Sequence, residues 1–243
     1  MKNIEELEEK LAEIFQEQSF NVEELLKEAE RNGVGLEDLI EGEWQGFKST
    51  DNIGKKLHPL FFGKLSECIP ELANVYMSAM DSELVVEQIS DKTAGWIAQW
   101  SGELSDIMKL SSHEEIERVL SNALKNGKSV ADLTEDIMTN GVRDEYYKAR
   151  RAAITEMLRA HSVAKEESIQ QCPAAEFKEW VHTGSYRNEP RANHEAISGQ
   201  IVRKDKNFIL KGYNGVTYLA DFPRDSVLPV SYTHLTLPTN SLV

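Results

Sequence analysis

The sequence predicts an α+β chain, with a mostly helical N-terminal region followed by a small C-terminal α+β unit packed on a long helix. Three observations lead there. Apolar residues recur at helical spacing from Ile4 to about Gln170, broken by Asn, Gly and Ser signals of helix ends. One of these helices, Asp144 to Gln170, carries an alanine stripe that lets a neighbour approach closely. After Pro173 the period shortens toward that of strands.

Taken in order, Asn3 with Glu6 begins a helix on which Ile4, Leu7, Leu11, Ile14 and Phe15 share a face. Asn21 with Glu24 repeats the signature and predicts a second helix, closed at Asn32-Gly33. From Leu36 to Asp81 the pattern is irregular and rich in Trp44, Phe47, Phe61 and Phe62, which reads as short helices packing as core; Pro59 and Pro70 should each begin or interrupt one. Asp91 to Lys109 forms the next helix, Ser112 with Glu115 is expected to cap another ending at Gly127, and Ser129 with Asp132 caps a short one closed by Gly141. Asn126-Gly127-Lys128-Ser129 lacks the first glycine and the preceding strand of a phosphate-binding loop.

On a wheel of about 100° per residue, Lys148, Arg151, Thr155, Arg159 and Ser162 fall in one polar quadrant of the long helix. Ala149, Ala153, Met157, Ala160 and Ala164 lie opposite, and Glu156 stands on the border. Beyond it, Phe177 to Thr183 predicts a strand, Ile201-Val202 and Phe208 to Leu210 a hairpin across Lys204 to Asn207, and Val216 to Leu219 a further strand.

The formal charge of −14 is unevenly spread: residues 1–140 hold 13 basic and 29 acidic side chains, residues 141–212 hold 13 and 10. The first part repels polyanions and the second tolerates them. Cys68 and Cys172 stand alone, so neither a disulfide framework nor a metal is indicated, and no cofactor motif is present. The acidic, periodic start is unlike a signal peptide, and no apolar run reaches the roughly 20 residues that span a bilayer, so a soluble chain without membrane contact is expected.

Thr155-Glu156 then Arg159-Ala160 on a helix, Trp180 opening a strand, then Arg191, His194 and Gly199, followed by Phe208 and the Pro223-x-Asp225 turn, form an ordered pattern. In order and spacing it resembles the phage Mu protein F-like minor head proteins over roughly residues 110–226. The resemblance implies a division into a helical docking and scaffold region (1–110) and a head morphogenesis domain (111–228). It implies a non-enzymatic minor capsid protein of a tailed phage or prophage, bound at the portal vertex. Such a protein is assembled in the bacterial cytoplasm, lies inside the virion, and aids DNA packaging or delivery. Portal, capsid and scaffold proteins are its implied partners. The Cys-x-Cys that closes the family pattern is absent, which implies a shortened, less stable core. Residues 229–243 are expected to be a non-native tail, because Ser231 to Val243 resembles a translated sequencing adapter.

Three readings of the polar residues stay open. Arg191 and His194 can pin an irregular loop through carbonyls and Glu156, with Gly199 supplying a positive φ. His194 with Arg187, Arg191 and His182 could instead equip a nuclease or toxin-like enzyme behind a helical delivery region. Lys148, Arg151, Arg203, Lys204 and Lys206 are candidate contacts to DNA through a weak, local basic face.

Overall fold

The computed structural model describes residues 2–142, 144–181, 196–212 and 215–228. Seven helices come first among these residues: α1 (Lys2–Arg31), α2 (Leu36–Glu41), α3 (Glu43–Thr50), α4 (Ile53–Met80), α5 (Asp91–Lys125), α6 (Val130–Asn140) and α7 (Glu145–Gln171). Four short strands follow: β1 (Phe177–Glu179), β2 (Ile201–Arg203), β3 (Phe208–Lys211) and β4 (Thr217–Ala220). The predicted α+β order, with the strands after a long helix, is what the chain adopts. No described helix is long and apolar enough to cross a membrane.

Two hydrophobic clusters divide the helical part. One gathers Leu7, Leu11 and Phe15 of α1 with Leu57, Phe61 and Leu65 of α4, Ile97, Trp100 and Leu104 of α5, and the alanine stripe of α7. Alanine leaves little between backbones, so α7 lies close against α1 and α4, and Ala149, Ala153, Ala160 and Ala164 have no exposed surface. The other joins Val22, Leu26 and Ala29 of α1 to Trp44, to Ile116 and Leu120 of α5, and to Leu133 and Ile137 of α6.

Helices α1 and α5 run through both clusters, which corrects two expectations. Asn21 and Glu24 do not start a second helix: Asn21 is an exposed interior position, and Glu24 pairs with Lys27 at 2.9 Å. Ser112 and Glu115 do not cap one either. The buried Ser112 hydroxyl donates to Gln18 Oε1, and Glu115 takes Lys148 at 2.7 Å. Gln18 in turn donates to Asp51 Oδ2 at 2.5 Å, which also meets His113 Nε2 at 2.7 Å, so a polar layer separates the clusters. A third correction concerns α4, which passes through Pro59 and Pro70 without ending. Each proline removes one helical hydrogen bond, but the stripe Leu57, Phe61, Leu65, Ile69 and Ala73 is buried on both sides of them and holds the helix together.

The real helix ends match their signals. Gly33, Gly127 and Gly141 take positive φ just beyond α1, α5 and α6. Ser129 and Asp132 form a reciprocal capping box on α6. Asp144 caps α7, its carboxylate accepting from the Tyr147 N–H at 2.8 Å.

The strands pair differently from expectation. Residues 204–207 do not turn a hairpin between β2 and β3. Instead β2 lies antiparallel to β1 with Lys178 opposite Val202, and β3 to β4 with Ile209 opposite Leu219, making two two-stranded sheets. Lys204 explains the break: its ammonium leaves the strand direction to reach the carbonyls of Gln170 and Cys172 at the end of α7, at 3.2 and 2.9 Å. Trp180, Ile197, Phe208, Leu210, Ala220 and Leu228 form the sheets' own small core.

Candidate functional site

Glu156 and Arg159 stand three residues apart on α7 and therefore on one face, which in this fold looks inward onto α5. Part of the polar quadrant is thus interior: Arg159 is 0% exposed and Thr155 and Ser162 are buried, as is Glu156 at the quadrant's border. The two hydroxyls are satisfied within the helix, donating to Arg151 O at 2.8 Å and Leu158 O at 3.2 Å. Glu156 Oε2 accepts from Trp100 Nε1 at 2.8 Å and from Arg159 Nε at 3.1 Å. The Arg159 guanidinium lies 4.2 Å above the Trp100 ring, and its Nη1 donates to the Arg224 carbonyl. A buried cation is tolerable only with such partners: a carboxylate, a π face and a backbone acceptor each replace lost water.

The acceptor carbonyl belongs to the turn after β4. Arg224 has φ +67°, rare for a residue with a side chain, and that conformation lies between Pro223 and Asp225. Asp225 supports the turn from inside, accepting from the Asp221 N–H at 2.8 Å and the Val227 N–H at 3.4 Å. Burial raises the Asp225 carboxyl above its ordinary range, against those hydrogen bonds. Burial likewise lowers the Arg224 guanidinium to about 10, with the neighbouring Arg159 charge adding and Glu156 opposing. The turn is seated on α5 by Trp96, which meets Phe222 edge-on at 6.1 Å and donates from Nε1 to Ser226 Oγ at 3.2 Å.

Farther along α7, two adjacent carboxylates tie other parts to the helix. Glu166 Oε1 receives the Lys178 ammonium of β1 at 2.7 Å, and Lys178 also donates to Asp221 O at 2.9 Å while lying over the Phe208 ring. Burial raises Glu166, with Lys178 and Gln170 pulling the other way. Glu167 holds the start of α5, accepting from the Ser90 N–H at 2.6 Å, the Ser90 hydroxyl at 2.8 Å and the Thr93 hydroxyl. Burial works against its ionisation, yet these donors and Gln171 together lower its pKa. Trp100, Lys178, Glu166, Glu167 and Arg224 were not among the residues singled out from sequence. A lysine inside a strand with β spacing is one local signal that could have drawn notice; the partners themselves lie 12 to 77 residues away.

Of the residues expected to pin the C-terminal unit, Thr155, Glu156 and Arg159 are gathered on α7. Trp180 and Phe208 meet edge-on at 5.3 Å in the strand core, and Gly199 has φ +85°. Trp180 does not open a strand. It follows β1 and extends its ladder, donating to Gln200 O at 3.0 Å and accepting from the Gly199 N–H at 2.8 Å. His182, Arg187, Arg191 and His194 lie outside the described residues, as do residues 229–243.

The basic residues are distributed rather than clustered. Lys148 is engaged by Glu115 and lies over the Phe15 ring at 5.4 Å. Lys204 caps α7, and Arg203 and Lys206 both stand beside Asp205. Arg151 packs on the Tyr147 ring at 5.5 Å and lines, with Lys148 and Thr155, a cleft of about 750 Å³ between α5 and α7.

Residues 114–225 match the family model described as phage Mu protein F like protein, so the resemblance drawn from the motif residues holds. The chain is also similar to the uncharacterized protein YqbB of Bacillus subtilis (strain 168), 37% identical over 184 residues. That alignment covers 76% of this chain and 59% of YqbB, so the chain spans under two thirds of its relative's length. No solved structure matches. The matched segment runs from the second half of α5 to the turn at Asp225, and so contains the Glu156–Arg159 pair, all four strands and the turn they hold.

Proposed function

We propose, from the membership of residues 114–225 in the phage Mu protein F like family, that the chain is a minor head protein of a tailed phage or prophage. In this reading it works by binding, not turnover. It takes its place at the portal vertex during head assembly in the bacterial cytoplasm, stays inside the virion, and aids DNA packaging or delivery. The family match is the observation that carries this.

The form of α1 supports a docking role for the N-terminal helices. Glu5, Glu9, Glu13 and Glu17 recur every four residues and are exposed, an acidic row winding slowly round the helix in which Glu17 pairs with Lys56, and Glu5, Glu9 and Glu13 suit a basic surface on portal or capsid. A protein partner is proposed ahead of DNA because Lys148 and Lys204 already have partners within the chain, and the N-terminal region repels phosphate.

Co-expression with a portal protein of the phage or prophage that carries the gene tests the reading. The wild-type chain should co-purify with portal, and E5K, E9K and E13K combined should abolish that while leaving the circular-dichroism melt in place. Normal heads and undiminished infectious titre from a phage lacking the gene would overturn it. Incubating purified protein with RNA and DNA separates the enzymatic alternative: cleavage that disappears in H194A would replace binding with nuclease action.

A further inference from the structure

We draw no further inference here: the strongest candidate, the outward face of the β3–β4 sheet where Ile209 and Leu219 pair across the strands and are 50% and 57% exposed, is an apolar patch, and nothing among the described residues shows what covers it.

Discussion

Arg159 shows how much one side chain can be made to hold. Its guanidinium reaches a carboxylate on its own helix, an indole on α5 and a carbonyl in the turn after β4, all out of water. Arg159→Ala should therefore lower the unfolding free energy in urea by about 3–5 kcal/mol, the effect of leaving a buried carboxylate uncompensated. Arg159→Lys should recover little of it, because an ammonium lacks the planar fork that spans these partners; a lysine variant as stable as wild type would show that charge alone suffices. The acid response divides by residue as well. Glu167 and Asp51 have pKa values below their ordinary range, so they contribute stability above the unfolded carboxylate value, near pH 4, and lose it as pH falls through the folded value. Glu166 and Asp225 have raised values and contribute in the opposite sense, stabilising at low pH and losing that as pH rises through their folded values. Glu167→Gln should accordingly flatten the fall in melting temperature between about pH 5 and pH 3, and a slope unchanged from wild type would exclude Glu167 from acid unfolding. The motif residues Thr155, Glu156, Arg159 and Asp225 could be picked out by spacing. Trp100 and Arg224 could not, because what makes them partners is the approach of α5 and the final turn, which no local pattern encodes.

At the scale of elements, capping signals proved ambiguous in a physically intelligible way. Ser129-x-x-Asp132 starts a helix because its two side chains close on each other's backbone. Ser112-x-x-Glu115 has the same form, but Gln18 and Lys148 take those side chains and the helix runs on. A pattern of donors does not say which acceptor arrives first. The hairpin expected across Lys204 to Asn207 failed similarly, since a turn-like tetrapeptide competes with the open carbonyls at the end of α7. A proline need not end a helix: Pro59 lies on the exposed side of α4, where its ring disturbs no packing. Pro59→Ala would restore the missing hydrogen bond and should raise stability by about 2 kcal/mol, measured as a higher melting temperature. A drop would mean that the helix relies on proline stiffening the unfolded chain. Gly199 points the other way, for at φ +85° an alanine meets backbone strain of roughly 1–2 kcal/mol. Gly199→Ala should loosen the Trp180 ladder first, seen as faster amide exchange at Trp180 than in α7.

For the molecule as a whole, the arrangement of α1 matters most. Because α1 and α5 each contribute to both hydrophobic clusters, the clusters are mechanically one unit despite the polar layer of Gln18, Asp51, Ser112 and His113 between them. Leu11→Ala and Leu26→Ala fall in different clusters; each should cost about 2–5 kcal/mol, and each should leave a single unfolding transition. Two separated transitions in either variant would show that the clusters fold apart. The α+β order, the alanine-striped platform and the likeness to the phage Mu protein F like family were all legible, because they depend on periodicity and on residue order. Which helices would run through both clusters was not, since that is decided by contacts between residues far apart in the chain. The glutamates of α1 carry a last implication, for crowding. They line one flank of a rod of 30 residues, about 45 Å long. Two copies brought flank to flank would set like charges against each other, and at physiological salt that force fades only over about 8 Å. Two such flanks can therefore lie against each other only where a cationic surface comes between them.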